Sequence, residues 1–141
     1  MLTGEYQHNI DLKGRMIMPA KFRDELGDKF VATKGLDKCL FVFPLCEWQK
    51  LDKQLSELSI AKGRDLQRFF IGSKADCEVD NQGRILIPLK LREYAGLEKD
   101  VTIIGLNRRA EIWNTAAWND ENEKFLKNTD EVALRMEELG I

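Results

Sequence analysis

The chain has 141 residues, 43 % of them apolar, enough to bury a core within one compact domain, and no apolar stretch approaches the roughly 20 residues that a bilayer crossing requires. Net charge is −2, which speaks against a nucleic-acid partner until its distribution is considered: residues 119 to 141 hold seven acids and three bases, leaving 19 bases against 17 acids in the rest. The start of the chain has no basic segment followed by an apolar run, so a protein that is not exported is expected. Three cysteines without paired spacing argue against a disulfide framework. They read as small apolar core residues; six residues separate Cys39 from Cys46, His8 is the one histidine, and no metal site is expected.

Taken in chain order, residues 5 to 10 and 16 to 18 flank the string Asp11-Leu-Lys-Gly-Arg15, and this reads as a hairpin. Asp11 can accept hydrogen bonds from amides two residues on. Gly14 supplies the left-handed position of a bulged turn, and Arg15 opens the returning strand. Pro19 then starts a short helix that ends at Gly27, with proline in the first turn and glycine after the last. Two β-rich runs follow, Phe30 to Thr33 and Cys39 to Phe43, with the turn Gly35-Leu36-Asp37-Lys38 between them. After Pro44, Leu45, Trp48, Leu51, Leu55 and Leu58 recur at helical spacing, and Leu66, Phe69 and Phe70 mark a second helix.

The first pattern now returns. Residues 77 to 79 and 85 to 87 flank Asp80-Asn-Gln-Gly-Arg84, Pro88 opens a helix that ends at Gly96, and β-rich runs cover Val101 to Ile104 and Ala110 to Trp113. Residues 10 to 27 align with 79 to 96, keeping Asp, Gly, Arg, Pro, Lys, a second Arg and Gly; one inserted residue later Val31 pairs with Val101, Gly35 with Gly105 and Trp48 with Trp118. The chain therefore contains two copies of one supersecondary unit. Four short strands and one short helix cannot close a core alone, so the copies should interdigitate. The expected organisation is a single unit over 1–141, with repeats at 5–48 and 75–119, connecting helices at 49–74 and a helical tail at 120–141. That tail carries Val132, Met136 and Leu139 on one face, suited to docking on its own barrel or on a neighbouring subunit.

Catalysis has little support. No Gly-rich phosphate loop, nucleophile elbow or paired metal motif occurs, the histidine has no evident nucleophile partner, and no cofactor or small-molecule substrate is implied. The two arginines admit two readings. Each can pair with its own aspartate as a structural device, or present its guanidinium fork to phosphate or guanine.

Two copies of Asp-x-x-x-Arg followed by an apolar triplet, proline and a short helix resemble the SpoVT/AbrB class of swapped-hairpin DNA-binding barrels. With the opening Met1-Leu-Thr-Gly-Glu-Tyr6 and the string Asp11-Leu-Lys-Gly-Arg15, the whole chain is similar to the MraZ family of transcriptional regulators. The resemblance implies an α+β fold, a pseudo-twofold swapped-hairpin β-barrel with helices added after each repeat. It also implies a cytoplasmic, nucleoid-associated regulator, usually a repressor and not an enzyme, that forms ring-shaped homo-oligomers on double-stranded DNA. Its target would be short G-rich direct repeats before the division and cell-wall operon to which its own gene belongs. Carried onto this sequence, Arg15, Lys13 and Arg84 are the DNA-contact candidates, with Asp11, Gly14, Asp80 and Gly83 shaping the turns. Gln82 stands where the first turn has Lys13, so the second tip is expected to contribute less. An antitoxin-like or assembly module that binds another protein, with DNA contact secondary, is the alternative.

Overall fold

A computed structural model describes all of residues 1–141. The strands are β1 (Leu2–Asn9), β2 (Arg15–Ile17), β3 (Lys29–Lys34), β4 (Leu40–Pro44), β5 (Ala75–Glu78), β6 (Arg84–Leu86), β7 (Asp100–Asn107) and β8 (Ala110–Asn114). The helices are α1 (Ala20–Leu26), α2 (Leu45–Ser56), α3 (Ile60–Leu66, running on into a wide turn over Gln67–Ile71), α4 (Leu89–Ala95), α5 (Thr115–Lys127) and α6 (Thr129–Leu139). The fold is thus α+β. None of these helices is long and apolar enough to cross a membrane.

Six strands form one antiparallel sheet in the order β1-β7-β8-β4-β3-β5, and β2 pairs with β6 in a separate ribbon. Each repeat lends its first strand to the other: β1 lies on β7, and β5 lies on β3. The hairpin expected from local sequence is corrected accordingly. At the first Asp-x-x-Gly-Arg string a single bridge, Ile10 to Met16, ties the flanking strands directly, the second string has none, and the ladders of both run to the opposite repeat. Pairing across the axis lets one face of the ribbon, Met16 and Ile85, join the core shared by both repeats, which a three-residue strand in an isolated hairpin could not reach. The six-stranded ladder ends at β1 and β5 without closing on itself.

Registers locate the pseudo-twofold axis. Leu40 opposite Ile112 mirrors Val42 opposite Ala110, with Phe41 and Glu111 facing each other between them. Met16 faces Ile85 at the centre of the ribbon. The same registers amend the repeat alignment: Phe30 opposite Cys77 mirrors Val101 opposite His8, so Phe30, rather than Val31, is the counterpart of Val101. Two residues are inserted before β7, and one is recovered in the shorter turn to β8.

Both faces of the large sheet are covered, which explains why its central strands read as nearly unbroken apolar runs rather than alternating ones. Phe30, Ala32, Leu40, Val42, Val101, Ile103 and Ile112 join Phe22 and Leu26 of α1, Leu91 and Ala95 of α4, and Met16 and Ile85 of the ribbon. On the other face Val31, Phe41, Phe43, Ile104 and Trp113 pack with Trp48 of α2, flanked by Phe70 and Trp118. Cys39 and Cys77 are buried, as expected of small core residues, and burial pushes the Cys77 thiol up to about 11. Cys46 is exposed, against that expectation, because it lies about 200° around α2 from Trp48, which sets the buried face. Leu45 and Leu58, at the ends of the expected stripe, are likewise exposed.

Candidate nucleic-acid interface

Each Asp-x-x-Gly-Arg string folds around its aspartate. In the first, Asp11 Oδ1 accepts from the amides of Lys13 (3.0 Å) and Arg15 (2.9 Å), and Oδ2 accepts from Arg15 Nε (2.8 Å). In the second, Asp80 Oδ1 accepts from the amides of Gln82 (2.8 Å) and Arg84 (2.9 Å), and Oδ2 from Arg84 Nε (3.0 Å). Backbone bonds close each loop, from Asp11 N to Arg15 O and from Gly14 N to Asp11 O, with the same pair at 80–84. Gly14 (φ 87°) and Gly83 (φ 77°) occupy the left-handed region, where a side chain would be strained. The arginine amides hold both aspartates below the usual carboxylate range, helped by the guanidinium of the same residue.

The two readings of the arginines are compatible in this geometry. Pairing with aspartate occupies Nε alone, leaving Nη1 and Nη2 of Arg15 and Arg84 without a hydrogen-bond partner in the chain. The aspartate thus fixes the plane of a guanidinium whose outer edge is free to donate to an acceptor. Antiparallel pairing of β2 with β6 sets Arg15 opposite Leu86 and Ile17 opposite Arg84. By the pleat these four share one face, while Met16 and Ile85 point into the core. The outward face of the ribbon therefore presents an arginine at each end, each with an apolar side chain directly across from it, Leu86 (58 % exposed) opposite Arg15 and Ile17 (46 %) opposite Arg84. Lys13 is exposed on its loop, beside Leu12 at 96 %.

Sequence reasoning named the arginines and the turn residues but missed two further features of this face. Ile17 and Leu86 were read as members of apolar triplets, although period-two alternation puts the middle of each triplet on the outer face. The other feature is the second arginine of each repeat, visible as an identity in the repeat alignment. Arg92 Nε of α4 donates to Ile87 O (2.9 Å), and a Cβ built on Gly14 would lie 2.6 Å from Arg92 Nε. Arg23 of α1 also lies against Gly83, with Nη1 where a Cβ would stand, but donates no side-chain hydrogen bond in the chain. Each loop is also stitched to the opposite repeat through its glycine carbonyl, by Ile87 N to Gly14 O (2.8 Å) and Met18 N to Gly83 O (3.1 Å).

The tail separates from this site. α5 is anchored by its Asn114 cap, which accepts from Ala117 N, and by Trp118 Nε1 donating to Glu5 Oε1 (2.6 Å). α6 buries no residue: Val132 is half-buried, and Leu134, Met136 and Leu139 are exposed.

The family model described as "MraZ protein, putative antitoxin-like" matches the chain twice, over residues 1–69 and 70–137. Relatives named transcriptional regulator MraZ align with it over all or nearly all of their length: that of Halothermothrix orenii is 54 % identical over 143 residues, with all of both chains covered. The Syntrophomonas wolfei protein is 50 % identical over 143 residues with the same coverage, and that of Heliobacterium modesticaldum 54 % identical over 138 residues, 96 % of each chain. A doubled Asp-x-x-Gly-Arg loop on strand-exchanged repeats, matched twice by one family model and end to end by these relatives, makes this chain a member of the MraZ family.

Proposed function

We propose that the protein is a transcriptional regulator, a repressor, that binds double-stranded DNA through the outer face of the β2–β6 ribbon and its two loops. The observation that carries this reading is the pair of guanidinium groups held by Nε with their outer edges unpaired, one at each end of a two-stranded ribbon. A ribbon of this kind fits the major groove, where a guanidinium meets O6 and N7 of guanine and apolar groups meet the thymine methyl. Arg15 is the principal contact, Arg84 the second, and Lys13 supplies phosphate attraction. Asp11, Asp80, Gly14 and Gly83 shape the loops. The relatives' name supports a regulator over an enzyme.

In this reading the target is the set of short G-rich direct repeats before the division and cell-wall operon, and the protein acts in the cytoplasm, on the nucleoid. A ring of copies explains how a chain of net charge −2 binds DNA, by gathering ribbons on one surface and keeping acidic tails off it. The exposed Phe125, Leu126, Leu134, Met136 and Leu139 suit such self-association. Arg15→Ala tests the core of the proposal: it should weaken binding to a G-rich repeat duplex by about 2 to 3 kcal/mol, with thermal midpoint and oligomer mass unchanged. Arg84→Ala should lose less. An Arg15→Ala protein that unfolds, dissociates or binds normally would remove the site from this ribbon.

The antitoxin-like description of the family model favours a second reading, in which the acidic tail engages another protein. Removing residues 129–141 separates the two: a fall in oligomer mass supports the ring. Unchanged mass and unchanged DNA binding, with loss of a stoichiometric partner, supports the alternative.

A further inference from the structure

We infer that Arg23 and Arg92 are crossed positioning residues: each holds the DNA-reading loop of the opposite repeat, so that Arg92 governs the Lys13 and Arg15 loop and Arg23 governs the Gln82 and Arg84 loop. The inference rests on the ribbon reading above for its effect on DNA, but its structural content stands apart from it.

The two arginines occupy equivalent positions in α1 and α4, four residues after the prolines that open those helices. Neither lies in an Asp-x-x-Gly-Arg string. Both are half-buried, and neither makes an ion pair with a carboxylate. Their guanidinium groups instead lie where a Cβ on the facing glycine would stand, Arg92 on Gly14 and Arg23 on Gly83. The glycines are thus required twice, for their left-handed backbone and for admitting a guanidinium against it. With Ile87 N bonded to Gly14 O and Arg92 Nε bonded to Ile87 O, the first loop is clamped on one side by backbone and on the other by side chain. The arginine that carries the clamp is itself anchored to the strand end that holds the loop.

The clamps are unequal. Arg92 is fixed by a hydrogen bond to a carbonyl, whereas Arg23 makes no side-chain hydrogen bond in the chain. The tighter clamp therefore acts on the loop with the extra lysine, although it is delivered by the repeat whose own loop lacks one. A rigid loop gives up less conformational freedom on binding, so its arginine contributes more of its contact energy to affinity.

Arg92→Met and Arg23→Met test this, keeping the aliphatic stem and removing the fork. Amide hydrogen exchange reads the loops directly, at the Lys13 and Arg15 amides bonded to Asp11 and the Gln82 and Arg84 amides bonded to Asp80. Arg92→Met should speed exchange about tenfold at Lys13 and Arg15 and leave Gln82 and Arg84 unchanged, since a hydrogen bond from a charged group is worth roughly that factor or more. Arg23→Met should give the mirror image with a smaller increase. Affinity for a G-rich duplex should fall about tenfold for Arg92→Met and less for Arg23→Met, and Arg92→Met should be non-additive with Arg15→Ala but additive with Arg84→Ala. Faster exchange in the variant's own repeat, in both loops alike or in neither overturns the crossed arrangement. If exchange follows the crossed pattern while wild type binds no duplex, the clamp stands and the DNA reading fails.

Discussion

The two loops of this protein have nearly the same skeleton and different chemistry. The five hydrogen bonds that fold residues 11–15 recur in residues 80–84 with lengths matching within about 0.2 Å. Yet the first tip exposes Leu12 and Lys13 where the second exposes Asn81 and Gln82. Their seats differ as well: a Cβ on Gly14 would lie 2.7 Å from the carbonyl oxygen of Ile87 as well as against Arg92, whereas the three atoms nearest to one on Gly83 all belong to the guanidinium of Arg23. The turn-building residues and the outward arginines are the same in both copies, while the two tip residues differ, so the repeat encodes a shared scaffold and two unequal tips.

The largest stability difference between the loops should come from their glycines. Gly14→Ala forces a side chain into left-handed backbone, at about 1 to 2 kcal/mol, and against a carbonyl that is itself bonded into the fold, adding about 1 to 3 kcal/mol of overpacking. Gly83→Ala carries the first cost alone, because the end of a flexible arginine can move aside. Denaturant unfolding of the two variants should therefore rank Gly14→Ala as the weaker protein by 1 kcal/mol or more. Equal losses would mean that the backbone contact at Ile87 relaxes freely, and the two seats would no longer be distinct.

Much of this arrangement was legible in the sequence because its signals are local. Aspartate, glycine and arginine at fixed offsets specify a turn from side-chain and backbone chemistry alone, and proline and glycine punctuate α1 and α4 as expected. The exchange of strands was not legible locally. Ile10 and Met16 lie on either side of a turn in any hairpin, and nothing within those residues says that β1 will extend along β7 rather than along β2. The shortage of strands in one repeat required the copies to interdigitate, and the family resemblance supplied the swapped form that this takes. The exposed faces of Ile17 and Leu86 were hidden inside apolar triplets, and Arg92 was hidden because its partner, Gly14, is 78 residues away in sequence. The alignment beyond Gly27 and Gly96 slipped by one residue because short β-rich runs of similar composition align almost equally well in two registers, and hydrogen bonding decides between them.

A smaller effect, on electrostatics alone, would show whether the divergent tips matter. Lys13→Gln gives the first loop the second's residue, and Gln82→Lys does the reverse; both side chains are exposed. Neither should change the thermal midpoint. If each lysine tip neutralises one phosphate, Lys13→Gln should lower the salt slope of DNA binding by about 1, and Gln82→Lys should raise it by about 1. Should Gln82→Lys leave the slope unchanged while Lys13→Gln lowers it, the second loop does not reach the phosphate backbone, and the ribbon is engaged at one end.

The smallest expected difference between the loops concerns pH, where the two should behave alike. Asp11 and Asp80 are both held below the ordinary carboxylate value of 3.8, first by the amide of the following arginine. A carboxylate whose value is depressed in the folded protein adds order at any pH above its unfolded value, and that contribution disappears as pH falls through the folded one. Loop order should therefore be constant from neutral pH down to about 4 and decline only below it, in parallel for both copies. The carboxyl carbon shifts of the two aspartates, followed by NMR through an acid titration, should both move below 3.8. If Asp11 titrated well below Asp80, the Lys13 tip would be adding charge stabilisation that Gln82 lacks, and the shared scaffold would itself be unequal. Asp11→Asn distinguishes charge from geometry in the same loop, since the amide oxygen can still accept from the Lys13 and Arg15 amides but no longer pairs ionically with the guanidinium.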